Sequence, residues 1–314
     1  MWFPGRFADS LVADQLDNLS VSFLVENLQI RRGGVAANIA FGLGCLGLSP
    51  ILVGSVGDDF QAYRSWLERH GVDTKSVQVS ELYHTARFTC TTDLDANQIA
   101  SFYPGAMVEA RDIELQPIAE RAGQLDLVVI SPNDPEAMLR HTAECRDRGI
   151  AFVADPSQQL AFMGGREIRK LVDGAAYLFT NEYEAALIEL KTGWSAADIL
   201  DRVGVRITTR AANGSRIESA DSHSIEVPAV KVTTITDPTG VGDAFRAGYI
   251  AGLAWELPAQ RCAQIGSMLA ALVIETTGTQ EYRLDGDEFM GRFSDAYGLD
   301  AAAQLPLFTG ALTD

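Results

Sequence analysis

Basic residues are the scarce charge in this chain of 314 residues: 25 Lys and Arg stand against 42 Asp and Glu, a formal net charge of −17. That sign repels phosphate backbones and anionic lipid, which excludes nucleic acid and acidic membranes as partners. Cysteine is scarce too. Cys45, Cys90, Cys145 and Cys262 lie far apart among apolar neighbours, the pattern of buried thiols rather than of disulfides or thiolate metal ligands. The histidines His70, His84, His141 and His223 are equally scattered and offer no zinc spacing. No run is long and apolar enough to span a bilayer, and the amino-terminal Met1-Trp2-Phe3-Pro4-Gly5-Arg6 has no secretory apolar core, so a cytoplasmic location is expected. The sequence also has no internal repeat, low-complexity tract or linker. With 47% hydrophobic residues, it is expected to build one large α/β domain, or one domain with a small excursion.

What is present from Ala36 onward is an alternation of strand and helix signals. Residues 35–47 read as helix, 51–56 as strand and 60–70 as a helix ended by Gly71. Residues 125–131 (LDLVVIS) are a continuous apolar run, followed by a helix over 135–148, Gly149 and a strand over 150–155. A helix over 167–172, a strand over 177–180 and a helix over 183–191 extend the pattern. Such runs suit strands buried on both faces. The expected fold class is α/β, a doubly wound, mainly parallel sheet flanked by helices, with ligands gathering beyond the carboxyl ends of its strands. Residues 20–32 and 86–103 break the rhythm. They are rich in β-branched and aromatic residues with partial alternation, the second with a turn at 93–97, and read as strands of a small separate sheet.

The densest signal is residues 237–248, DPTGVGDAFRAG. Pro238 ends whatever precedes it, Gly240 and Gly242 permit a tight turn, and apolar residues through Tyr249, Ile250 and Leu253 continue at helical spacing. Unpaired first-turn amides and the positive helix end attract phosphate oxygens. Asp243, at the junction, is placed to accept the proton of a substrate hydroxyl. The bare Gly-x-Gly-Asp tetrapeptide reads equally well as a tight turn with an N-cap. Gly33-Gly34 followed by Asn38 lets backbone and a side-chain amide approach one ligand, although a plain helix start has the same form. Residues 42–47 fit the dinucleotide pattern G-x-G-x-x-G but close a helix and lead into a strand, so they read as helix packing and a C-cap.

As a whole, 237–248 resembles the carboxyl-terminal signature of the ribokinase (PfkB-type) sugar and nucleoside kinases, D-T/P-T-G-x-G-D-x-F-x-x-G. Gly33-Gly34 with Asn38 resembles the family's amino-terminal G-G-x-x-x-N-x-A, its companion Gly54-Ser55-Val56-Gly57-Asp58-Asp59 is present, and Asn181-Glu182-Tyr183-Glu184 resembles its N-x-x-E. The resemblance implies that Asp243 is the catalytic base and that the Gly240, Val241 and Gly242 amides form the anion hole. It implies Gly34 and Asn38 on sugar hydroxyls, Glu184 on Mg2+ through water, and Asn181, Thr209, Arg210 and Gly242 around ATP. A monovalent cation, K+, is implied at Asp237 and the region near Gly278. The implied kinase core is 33–85 and 104–314, with 3–32 and 86–103 as a β-lid through which family members often form homodimers.

Residues 155–160, 86–92 and 101–105 look like those of the bacterial adenosine kinases of this family. That likeness implies transfer of the γ-phosphoryl group of ATP to the 5′-hydroxyl of adenosine, with Phe88 and Phe102 stacking on the purine and Gln158 and Gln159 bonding it or the ribose. Another nucleoside or sugar, or nucleoside binding without turnover, is the alternative. The sequence departs from the family twice. It starts after the apolar strand ending in G-x-x-x-x-D, and neither Asp9 nor Asp14 matches that aspartate, so a central strand and a substrate ligand are expected to be missing. At 208–214, TTRAANG stands where relatives carry T-L-G-x-x-G. Ala211 in place of glycine is expected to weaken nucleotide binding unless Arg210 faces the phosphates.

Overall fold

The computed structural model describes residues 1–11, 20–220 and 222–306; Asp14 lies outside them. A short α1 (Phe7–Ser10) is followed by α2 (Val35–Cys45), β1 (Ile51–Val56), α3 (Gln61–Arg69) and β2 (Asp73–Val79). The hairpin β3 (Arg87–Thr92) and β4 (Gln98–Tyr103) interrupts the alternation, which resumes with α4 (Gln116–Ala122), β5 (Val128–Ile130), α5 (Pro135–Arg148), β6 (Phe152–Ala154), α6 (Gly165–Val172), β7 (Tyr177–Asn181) and α7 (Glu182–Thr192). Then come α8 (Ala196–Leu200), β8 (Val205–Thr209), β9 (Ser215–Ser219), β10 (Ser222–Val227), α9 (Val241–Ala254), α10 (Ala259–Ile274), α11 (Gly286–Tyr297) and α12 (Leu299–Ala302). Local chemistry sets the ends. In α5 the Asp134 carboxylate accepts the Glu136 and Ala137 amides, Pro135 fills the first turn, and Gly149 closes the helix with φ 66°.

Six strands form a sheet in the order β10-β9-β8-β7-β6-β5, parallel from β5 to β8 and antiparallel at β9 and β10. Alternate side chains divide it between two cores. Phe152, Ala154 and Leu178 pack with Met138 of α5, Ile168 of α6 and Ile188 of α7, while Val153, Phe179, Ile207 and Ile217 pack with Phe245 and Tyr249 of α9 and Cys262 of α10. The mainly parallel, doubly wound sheet is the expected one. The antiparallel end and the helices over 259–274 and 286–297 are additions that the reading of the chain did not supply.

Strands β1 and β2 form a separate parallel pair, yet they belong to the same layer. Leu52 and Val56 of β1 join the core that receives Val129 of β5, and Ile51 and Val53 join the core built around Ile130 of β5. Their pleats therefore agree, and β1 and β5 share both helical layers without any ladder between them among the described residues. Gly42 and Gly44 are packing glycines in α2: a Cβ on the first would meet Ala247 at 2.7 Å, and one on the second would meet the His70 carbonyl.

The hairpin β3-β4 stands apart, with Phe88 directly opposite Phe102. Beneath it Phe3, Phe7 and Phe23 cluster with ring centroids 4.9–5.6 Å apart. The buried Asp93 carboxylate accepts the Phe7, Asp95 and Asn97 amides, fixing the expected turn. Residues 20–32 correct the expectation: no strand forms there, and only Asn27 bridges, to Trp2. Leu24, Leu28 and Ile30 are exposed, so the alternation is present but has no neighbouring strand to pair with among the described residues.

Candidate active site

Gly240 turns the chain into α9 with φ 80°, and a Cβ there would lie 2.8 Å from Thr279 Cγ2. Only glycine meets both conditions. The first helical bond runs from the Ala244 amide to the Gly240 carbonyl, which leaves the Val241, Gly242 and Asp243 amides directed out of the helix end. The half-buried Asp243 Oδ2 accepts a 2.7 Å hydrogen bond from Asn38 Nδ2. Asn38 Oδ1 in turn accepts from Thr279 Oγ1 at 3.0 Å and from Gln280 Nε2 at 2.9 Å. Gln280 also takes the Trp66 indole N–H, and its amide reaches the Tyr63 hydroxyl, which donates to the Gly33 carbonyl. This network fixes the orientation of the Asn38 amide, so that its donor faces Asp243. Burial raises the Asp243 carboxyl above its ordinary value of 3.8, against the lowering pull of Arg246 and of the Asn38 bond.

The other expected residues take these places. Gly34 caps α2 with φ 100°. Asp237 accepts the Thr239 and Gly278 amides at 2.9 and 3.0 Å, tying the turn before α9 to the turn that holds Thr279; burial opposes its ionisation, but these bonds win and its carboxyl lies below the usual value. Asn181 and Glu184 form a capping box at the start of α7, each bonding the other's amide. Glu184 Oε2 is spent on that cap, while Oε1 lies 3.5 Å from Ser157 Oγ. One oxygen of a half-buried carboxylate is a donor set that suits Mg2+ held through its own waters. Thr209 Oγ1 lies 3.5 Å from the Thr180 carbonyl. Arg210 is paired with Glu226 at 2.5 Å and Glu182 at 3.4 Å. Gln158 is exposed, and Gln159 donates to the Asn133 carbonyl at 2.7 Å. Phe88 and Phe102 are 66% and 57% exposed on the β3-β4 hairpin.

Ala211 keeps the left-handed backbone that glycine would adopt, with φ 49°. Such strain costs a β-carbon residue roughly 1 kcal/mol. Ala211→Gly is expected to raise stability by about that amount in urea unfolding; an unchanged midpoint would show that the turn holds no strain.

Sequence reasoning missed Gln280, Thr279, Tyr63 and Trp66, because each reaches Asn38 or its neighbours only through long-range folding. It also missed the use of Asp59. That carboxylate accepts the Thr85 amide and hydroxyl and pairs with Arg87, anchoring the root of β3. Asp58, Asp59 and His84 gather within 4.8 Å, all exposed.

A doubly wound sheet with a small separate β-sheet, and a glycine turn that starts a helix with an aspartate, define a phosphotransferase of ribokinase fold. The chain belongs to the pfkB family of carbohydrate kinases, whose profile matches residues 8–285. It is 34% identical to the Burkholderia thailandensis nucleoside kinase solved in complex with inosine, with a TM-score of 0.83 and 95% of each chain covered. It is 30% identical to a nucleoside kinase of Methanothermobacter thermautotrophicus over 91% of this chain and 92% of that one. It is 28% identical to a cytidine kinase of Thermococcus kodakarensis over 78% of this chain and 88% of that one.

Proposed function

We propose that this protein is a nucleoside kinase that transfers the γ-phosphoryl group of ATP to the 5′-hydroxyl of adenosine in the cytoplasm. The observation that carries the reading is Asp243, held by the buried Asn38 at the mouth of a helix whose first amides are uncommitted. Asp243 accepts the hydroxyl proton as the oxygen attacks. The Gly240, Val241 and Gly242 amides hold the transferred group, and positioning with charge stabilisation carries most of such a reaction. Glu184 would hold Mg2+ through water, and the ion would supply charge neutralisation on the phosphates. Asn181, Thr209 and Arg210 lie on the ATP side, and K+ near Asp237 would add to the same positive field. Gly34 and Asn38 face the ribose. Phe88 and Phe102, cross-strand neighbours on the lid, offer flat faces to the base, with Gln158 and Gln159 at its edge.

A purine nucleoside is supported by the inosine complex of the Burkholderia kinase. The cytidine kinase among the relatives keeps other nucleosides in the comparison. The test is ADP release with Mg-ATP and adenosine, inosine, cytidine or ribose in turn. Turnover highest on adenosine is expected; a preference for ribose would overturn the nucleoside reading. The exposed apolar side chains of the lid region, Leu24, Leu28 and Ile30, suit pairing of two copies through it, and light scattering at the dimer mass is the expected result. A second reading, nucleoside binding without turnover, is favoured by the break between β1 and β5; adenosine binding in calorimetry with no ADP released would establish it.

A further inference from the structure

Arg246 is a buried cation for which the proposed reaction has so far given no use. It lies on α9 three residues after Asp243 and so shares its face. The side chain folds back toward the helix start: a Cβ on Gly242 would lie 2.7 Å from Arg246 Nη1. Its Nη2 pairs at 2.6 Å with Asp155 Oδ1, at the end of β6, and the two side chains are 8% and 0% exposed. The guanidinium also lies 6.0 Å from the centre of the Phe179 ring. Asp155 Oδ2 has no hydrogen-bond partner among the described residues. The charges acting on this arginine are therefore three carboxylates from three elements: Asp155 after β6, Asp243 on α9 and Glu184 on α7.

A buried ion pair is weak evidence for stability, since apolar residues of similar volume often replace one without loss. The arginine's Nη1 lies against Gly242, within the turn whose amides would receive a phosphoryl group, so its charge acts where charge develops. Resting on the kinase reading, we propose that Arg246 is a positioning residue of the phosphoryl-transfer site: clamped by Asp155, its guanidinium braces the Gly240–Gly242 turn and keeps Asp243 charged. Asp155 is then the anchor of the arginine and not a second base. Burial raises both carboxyls, Asp155 to about 6, and Arg246 is the cation that opposes the rise. The sequence motif could not reveal this, because Asp155 is 91 positions away from Arg246 in the chain and only the fold brings them together.

The double variant Asp155→Asn with Arg246→Met removes both buried charges together, and Arg246→Gln, which keeps an amide toward Asp155, is the second variant. Both are expected to hold adenosine KM within about threefold, to lower kcat by roughly 10²-fold, and to move the acid limb of kcat upward by about one pH unit. Arg246→Lys keeps the charge and is expected to leave the acid limb in place. The titration is also read without substrate, from the pH dependence of melting in each background against its Asp243→Asn counterpart. That difference reports Asp243 whether or not adenosine is turned over, which separates failure of this inference from failure of the kinase reading. A wild-type Asp243 titration in either neutral variant overturns the proposal, whatever happens to kcat, and leaves Arg246 as no more than the counterion of Asp155.

Discussion

Asp243→Asn is expected to lower kcat on adenosine by about 10³-fold, the usual reach of a positioned general base, while adenosine affinity changes little. The same substitution is expected to stabilise the protein at neutral pH. Burial lifts the Asp243 carboxyl above its ordinary 3.8, so its charged form is disfavoured by the fold. The stability this carboxyl contributes is complete below 3.8 and is lost as pH rises through its higher folded value. Asparagine carries no such charge and keeps an oxygen for the Asn38 amide. Melting curves of the two proteins should therefore coincide near pH 4 and diverge above it, with Asp243→Asn the more stable. In the wild type, kcat should fall with acid along a limb above the ordinary aspartate range. A variant that turns over at the wild-type rate would remove Asp243 from the base role. Melting curves that never diverge would show that the carboxyl titrates normally.

An apolar strand supplied to the break between β1 and β5 should produce the largest gain in stability. Both strands present alternate side chains to the same two cores, and neither has a strand neighbour on its inner edge among the described residues. Val53 and Gly54 of β1 and Val128 and Val129 of β5 are only half-buried, whereas every residue of β6 is buried. Unpaired backbone groups beside an apolar slot are costly, and a strand that fills the slot buries its side chains on both faces. Fused through a short linker ahead of Met1, such a strand is expected to raise Tm by roughly 5–10 °C. Hydrogen exchange gives the local check: the amides facing the slot should become protected, those of β9 and β10 should not change. A raised Tm without that protection would place the added strand elsewhere.

The sequence was most informative where structure is local. The helices over 35–45 and 135–148 and the strand over 51–56 were legible because apolar spacing, a proline in the first turn and a terminal glycine act within a few residues. The twelve residues 237–248 carried the family and the candidate base for the same reason, since a tight turn feeding a helix is specified by its own glycines. Capping illustrates the limit of such signals. Asn181 and Glu184 form the box that any N-x-x-E at a helix start would form, and their nearness to Ser157 is added by the sheet.

What the sequence by itself determined, then, is the alternation that makes a doubly wound layer and the glycine turn that starts α9. Tertiary structure decided the rest, because hydrogen bonds and ion pairs act over a few ångströms whatever the separation along the chain. It set Asn38 between Asp243 and Gln280 and placed Arg246 on Asp155. It left residues 20–32 without a strand despite their strand-like alternation, joined to Trp2 by the Asn27 bridge, and it set β1 and β5 in one layer with no ladder between them among the described residues. A strand is completed by its neighbour, and no local pattern can state whether that neighbour is there.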